Sequence, residues 1–263
     1  MTSVVSNDPL LRADLNGIAT LTLNRPAQRN ALSIGLMEAI IAEFDRIKED
    51  AGVRVVVITG AGTCFCAGHD LKELRADPSR AHYEKTFALC STMMQRIVAL
   101  PQPVIAAVHG IATAAGCQLV ATCDLAVAAE ESHFATPGVN IGLFCSTPMV
   151  ALTRAVSRKQ AMEMLLTGEP IDAPTALRLG LVNRLAPTPQ VMEEAVDLAV
   201  EIIAKSPLTL KLGKQAFYAQ AELGLAAAYD YASQVMTENM MALDAQEGID
   251  AFLAKRKPEW KGC

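Results

Sequence analysis

An α/β fold, a layered sheet followed by a helical tail, is what this 263-residue sequence predicts. Three observations carry the prediction. Short β-branched runs alternate with helical stretches about every 45–50 residues through the first half. These runs are apolar at consecutive positions, the pattern of strands covered on both faces. From residue 146 the texture turns mostly helical, and it stays so to the C-terminus.

Each element follows from its local pattern. "GIATLTL" (17–23) alternates with period two and is closed by "NRP", so it reads as a strand. "NALSIGLMEAIIAEFDRIKED" is an amphipathic helix with Leu36, Ile40, Ile41 and Phe44 on one stripe and Ser33 as its cap. "VRVVVITG" is a buried strand. After "AGTCFCAG", Asp70 followed three residues later by Glu73 marks a helix start. "TFALCSTMMQRIVALP" is helical, "QPVIAAVHG" is a strand, "TAAGCQLVATC" opens a short helix, and "DLAVAAE" is again a strand. Beyond residue 146, helical segments are interrupted by the strand-like "LVNRLA". A boundary near residue 197 divides a core (1–197) from a helical region (198–263), which lacks a flexible linker and so docks on the core or on a neighbouring subunit.

A chain of this length buries roughly 70–75% of its unfolded surface without staples. Hydrophobic residues make up 51% and charged residues 19%, an apolar balance that fits either surface lost to subunit contacts or a large core. Net charge is −5, from 23 basic and 28 acidic residues, so the basic footprint of a nucleic-acid binder is lacking. Seven scattered cysteines form no disulfide framework and point to free thiols in a reducing compartment. Cys64 and Cys66 stand one residue apart with no second pair at zinc-ligand spacing, so no metal is expected. "MTSVVSNDPLL" has no basic region leading into an apolar one, and no apolar run reaches the roughly 18 residues of a membrane span. The expected location is cytoplasmic.

Two loops share one design. "CAGHDLKEL" and "TAAGCQL" each leave a strand, pass through Ala and Gly, and begin a helix. Helix starts expose unpaired N–H donors at the positive end of a dipole. Two such donors meeting at one point make an oxyanion hole, although small residues also simply permit tight turns.

"NRPAQRNAL", "TGAGTCFCAGHDLKEL", "PQPVIAAVHGIATAAGCQLVATCDLAVA", "FATPGVNIGL", "LTGEPIDAPTALRLGLVNRL" and "EGIDAFLAKRKPEW" resemble, in order and spacing, the crotonase (enoyl-CoA hydratase/isomerase) family. The resemblance implies a spiral of ββα units, a C-terminal helical trimerisation region, a homotrimer or a hexamer built as a dimer of trimers, and an acyl-CoA thioester as substrate. Coenzyme A enters as part of that substrate, with no separate cofactor. The family pattern puts the oxyanion N–H groups on His69 and on Ala115, the middle of the usual glycine triplet, here "AAG". Replacing that glycine by alanine keeps the N–H but restricts its backbone. Arg29 matches the residue that meets CoA phosphates, and Ala67 and Leu71 match those holding adenine and pantetheine through backbone groups. Phe252 and Lys255 match residues that close over the nucleotide.

Two positions depart from the pattern. Family hydratases share their water between two glutamates, and this chain has Gln118 and Gly138 in their places. An amide neither gains nor loses a proton near neutral pH, and general acid–base groups contribute about 10²–10⁴-fold each. Isomerases that use one glutamate use the second position, also empty here. Efficient hydration is therefore not expected. The imidazole of His69 either substitutes for the acids or turns to solvent. "AGHD" also resembles a decarboxylase branch, where loss of CO₂ needs an enolate stabilised more than it needs a base. Asp70 reads as a helix cap, His109 as a strand-end residue satisfying a core hydrogen bond, and "VMTENMMAL" as interface or core packing. Asn140, Phe144, Cys145 and Ser146 fall near the expected acyl pocket, with Cys145 a candidate nucleophile that lacks a neighbouring base. The expected function is an acyl-CoA-binding enzyme that stabilises a thioester enolate. The alternatives are an acyl-CoA decarboxylase or thioesterase, or a catalytically inactive acyl-CoA-binding or regulatory protein.

Overall fold

The computed structural model describes residues 8–263, so the first seven residues of the segment read for a leader lie outside it. The described residues begin with a hairpin of β1 (Leu10–Leu15) and antiparallel β2 (Ile18–Leu23). Both turn residues, Asn16 and Gly17, have positive φ, the backbone a two-residue hairpin turn requires. The sequence pattern had yielded β2 but not β1, although "NG" at residues 16–17 is a hairpin signal.

Helix α1 (Ile34–Lys48) is capped by Ser33, whose hydroxyl accepts from the Leu36 N–H at 3.2 Å. It buries Leu36, Met37, Ile40, Phe44 and Ile47, with Ile41 at the stripe's edge. Next come β3 (Val55–Gly60), the short α2 (Leu71–Ala76) and α3 (Arg80–Ala99), which starts six residues before the helical stretch read at Thr86 because Ser79 caps it. β4 (Val104–Val108), β5 (Ile111–Thr113) and α4 (Ala115–Thr122) then form one ββα unit. β6 (Leu125–Ala129) and β7 (His133–Ala135) repeat its first two parts. Three-residue strands such as β5 and β7 are too short for periodicity to reveal.

The "STPMVALTRAVSRKQAMEMLLTG" stretch divides at Val156–Ser157 into α5 (Pro148–Ala155) and α6 (Arg158–Thr167). β8 (Ile171–Asp172), α7 (Ala173–Leu179), β9 (Arg184–Ala186) and α8 (Val191–Ile203) follow. α9 (Pro207–Ala221), α10 (Leu225–Met241) and α11 (Leu243–Leu253) complete the chain.

Among the described residues six strands form the main sheet in the order β1-β2-β3-β4-β6-β9, parallel except for β1. β5, β7 and β8 make a second, smaller sheet. Alternate residues of each main strand serve opposite faces. Leu21, Val56, Ile58, Ala106 and Ala128 face the core shared with α1, α3 and α4. Ile18, Val55, Val57, Ile105 and Val127 face Val191, Ala195, Leu198 and Ala199 of α8. Residue 197, where the sequence pattern divides the chain, lies within this covering helix.

α9 is fastened to the core by a buried cluster. Lys214 Nζ lies 2.6 Å from Asp124 Oδ2 and donates to the carbonyls of Ile97 (2.9 Å) and Gln102 (3.0 Å), while Tyr218 OH donates to Asp124 Oδ1 at 2.8 Å. Neither α9 nor α10 has a fully buried residue, and Phe217, Leu225, Tyr229, Met236 and Met241 are exposed in the single chain.

Candidate active site

Two strand-to-helix turns lie side by side. The segment after β3 runs parallel to β5: the Cys66 N–H donates to Ile111 O at 3.1 Å, and the Thr113 N–H donates to Cys66 O at 3.0 Å. Both chains then reverse, at Gly68 (φ 88°) and Ala114 (φ 50°, ψ −118°). A Cβ on Gly68 would stand 2.9 Å from the Ala114 Cβ, 2.9 Å from the Thr113 carbonyl oxygen and 3.1 Å from the Ala115 nitrogen. A Cβ on Gly116 would fall 2.1 Å from Cys66 O. Glycine is needed at both positions because two backbones touch there.

The His69 nitrogen follows Gly68, and the Ala115 nitrogen opens α4. Neither N–H has an acceptor among the described residues. The amides around them are occupied: Leu32 donates to Gly68 O, Asp70 to Leu32 O, and Ala114 to Ala135 O. Two unspent donors therefore remain where the turns meet. The restricted backbone expected at Ala115 sits instead one residue earlier. Ala114 adopts the positive φ, while Ala115 is an ordinary first helical residue.

Asp70 is the cap of α2, its Oδ1 accepting from the N–H groups of Lys72 (3.1 Å) and Glu73 (3.3 Å). His69 does not turn to solvent. Its ring packs edge-on against Phe87, centroids 5.4 Å apart, and Nε2 is sealed without a hydrogen-bond partner. Burial lowers its pKa to about 4, so the imidazole is neutral at pH 7 and is a weak base.

Gln118 lies one turn beyond Ala115 and is only 4% exposed. Side chains on a helix tilt toward its N-terminus, so this amide leans over the turn that carries the Ala115 N–H. Among the described residues its Oε1 is buried without a partner, as is Oγ1 of Thr136, which no sequence motif singles out. Gly138 is buried, and its side-chain space is already taken. A Cβ there would stand 2.7 Å from Leu143 O and 2.9 Å from Cys145 Sγ. Main chain and a thiol fill the space that a side chain at 138 would enter. Burial pushes the Cys145 thiol up, with a backbone hydrogen bond from Gly138 offsetting part of the rise, so it is not a ready nucleophile at neutral pH. Asn140 packs by Gly168 in a different cleft, of about 450 Å³, lined also by Ile111, His133 and Pro170. Phe144 and Ser146 are exposed.

Arg29 is exposed on a 3₁₀ turn (Pro26–Gln28) with left-handed backbone (φ 52°). Its carbonyl accepts the Ala67 N–H at 3.0 Å, and Ala67 O accepts Thr113 Oγ1 at 3.1 Å. The Ala67 N–H is therefore spent inside the protein, which leaves only a second carbonyl lone pair for a ligand. Leu71, at the start of α2, is 51% exposed. Phe252 (82% exposed) and Lys255 stand at the end of α11, which packs on α9 and α10; within one chain they do not join the other site residues. His109 Nε2 bonds Gly62 O at 3.0 Å at the strand end, but this bond is exposed and not the expected core hydrogen bond.

A model of the enoyl-CoA hydratase/isomerase family matches residues 14–263. The chain belongs to that family. In this crotonase family it is 48% identical over 245 residues to rat enoyl-CoA hydratase domain-containing protein 3, mitochondrial, covering 93% of this chain and 82% of the rat protein. It is 37% identical to 2,3-dehydroadipyl-CoA hydratase of Escherichia coli, over 93% of this chain and 95% of that one. A crystal structure of an enoyl-CoA hydratase from Mycobacterium smegmatis superposes with a TM-score of 0.94 at 52% identity, covering 96% of this chain and 98% of that one. The fold is the crotonase fold, and among the described residues no helix is long and apolar enough to cross a membrane.

Proposed function

We propose that this crotonase-family protein binds an acyl-CoA thioester and stabilises its enolate oxygen between the N–H groups of His69 and Ala115, without efficient hydratase activity. The observation that carries this reading is the meeting of two unacceptored main-chain donors at Gly68, with the Ala115 nitrogen 3.1 Å from where a Gly68 Cβ would stand. Each donor aimed at developing negative charge is worth about 3–4 kcal/mol at a transition state. The lack of proton chemistry is supported by the neutral Gln118 and by the filled space at Gly138.

Hydration by the paired-glutamate route needs two carboxylates on one water, and neither position supplies one. A reaction that asks only for a stabilised enolate suits this site better. The second reading, an acyl-CoA decarboxylase, is favoured by the crowding at Gly138, because losing CO₂ leaves the enolate without a base. A catalytically inactive acyl-CoA-binding or regulatory protein and a thioesterase are the remaining outcomes. Arg29, the Ala67 carbonyl and Leu71 are assigned to the CoA moiety. Phe252 and Lys255 are assigned to its nucleotide end across a subunit boundary, in a homotrimer or dimer of trimers. The exposed apolar side chains of α9–α11 support that assembly. The seven free cysteines support a reducing compartment, which we take to be the cytoplasm; the rat relative is mitochondrial by name.

The test is incubation of purified protein with enoyl-, malonyl- and methylmalonyl-type CoA esters, with products followed by mass spectrometry. Slow hydration of crotonyl-CoA with faster turnover of a carboxylated ester is the expected result. Fast crotonyl-CoA hydration overturns the reading, and no turnover of any ester leaves only the inactive binder.

A further inference from the structure

The segment "NRPAQRNAL" is joined to the loop that ends at His69 through Arg29, Asn30 and Leu32. Asn30, fully buried, donates from Nδ2 to the carbonyls of Ala61 (2.9 Å) and Cys64 (2.6 Å), and its Oδ1 accepts the Arg25 N–H at 2.9 Å. Arg29 O accepts the Ala67 N–H at 3.0 Å. Leu32 then brackets His69: its N–H donates to Gly68 O at 2.8 Å, and its carbonyl accepts the Asp70 N–H at 3.1 Å. His69 makes no main-chain hydrogen bond of its own among the described residues, so the direction of its N–H is set by these two neighbours.

One side chain fastens the bracket from outside. Arg25 donates from Nη1 to Ala31 O at 2.5 Å and from Nη2 to Asp70 Oδ2 at 2.9 Å. Ala31 precedes Leu32, and Asp70 follows His69, so the guanidinium spans the Leu32–His69 bridge. Its planar fork fixes the spacing of its two acceptors, which a lysine ammonium on a flexible stem does not. The pair is sheltered, with side chains 21% and 13% exposed, so water competes less than at an open surface bridge. Asp70 divides its oxygens, Oδ1 serving α2 and Oδ2 serving Arg25. Glu73 of α2 returns to accept the Ile34 N–H at 2.9 Å, closing the same link from the far side.

We propose that Arg25 is a positioning residue: by tying Ala31 to Asp70 it aims the His69 N–H, and so sets how strongly a bound thioester carbonyl is polarised. The proposal rests on the acyl-CoA reading above. Arg25 touches no part of the substrate in this scheme; it acts through the peptide on either side of Asp70.

The experiment measures the carbonyl stretch of hexanoyl-CoA, carbon-13 labelled at the thioester carbonyl, bound to wild type and to Arg25→Met, Arg25→Lys and Asp70→Asn. Affinity for the same ester is read by calorimetry and folding by circular dichroism. In wild type the stretch moves to lower frequency than in water. In Arg25→Met most of that displacement is lost, while affinity changes by less than about tenfold because CoA is held elsewhere. Arg25→Lys, with the charge but without the fork, retains part of the displacement. Asp70→Asn, in which asparagine still caps α2, behaves like Arg25→Met and carries the test if that variant does not fold. A full displacement in folded Arg25→Met or Asp70→Asn overturns the positioning role while leaving the thioester site standing. No binding, or no displacement in wild type, overturns the acyl-CoA reading itself.

Discussion

The two halves of the site behave differently under sequence change. The half that we propose receives a carbonyl oxygen is built from main chain, the N–H groups of His69 and Ala115, and alanine at 115 keeps its donor. In the proposed reading the half that would move protons is built from side chains, and it holds an amide at 118 and, at 138, a glycine whose side-chain space is occupied by the Leu143 carbonyl. A backbone donor survives any substitution, except by proline, that keeps the turn. A carboxylate survives only exchange between Asp and Glu.

Breaking the main-chain half should produce the largest effect. Gly68→Ala puts a methyl 2.9 Å from both the Ala114 Cβ and the Thr113 oxygen, and forces alanine to φ 88°. Turnover of whichever CoA ester the panel identifies is expected to fall by about 10²–10³-fold, as for loss of one oxyanion donor. An unchanged rate in a folded variant would mean that the turns do not carry the chemistry.

The side chain of His69 gives the next effect, in stability. Its pKa is about 4 when folded against an ordinary 6.5, so the unfolded chain binds an extra proton between those values. The contribution to stability is complete above pH 6.5 and is lost as pH falls toward 4, by about 2 kcal/mol at pH 5. Urea denaturation at pH 7 and pH 5 should show that loss in wild type and not in His69→Phe; equal slopes in both would contradict it.

Gln118→Met sharpens the contrast from the other side. Removing an amide that exchanges no proton should lower turnover less than about tenfold, outside the range of acid–base groups. A hundredfold loss, read by the same assay, would return Gln118 to the centre of the mechanism. The smallest effect is expected at Ala114, whose φ of 50° suits glycine. Ala114→Gly should raise the urea midpoint, corresponding to about 1 kcal/mol of relieved strain.

Much of the frame was legible in the sequence because its signals are local. The caps Ser33 and Asp70 and the buried runs of β3, β4 and β6 follow from residues within one helical turn or one strand of each other. β5 and β7 were not legible, since three residues have no measurable period and are strands only because they pair with each other. The division expected at residue 197 falls inside α8 because a sequence does not record which sheet face a helix covers.

By itself the sequence determined the family and the positions of the two turns, and it records an amide at 118 and a glycine at 138, because residue identity and spacing are what it holds. Tertiary structure decided the rest. It placed the strain on Ala114 rather than Ala115, turned the His69 ring inward against Phe87, spent the Ala67 amide on Arg29, and filled the space at Gly138 from the 143–145 turn. Each of these depends on segments distant in the chain coming within van der Waals or hydrogen-bond reach, and such distances exist only once the backbone has closed.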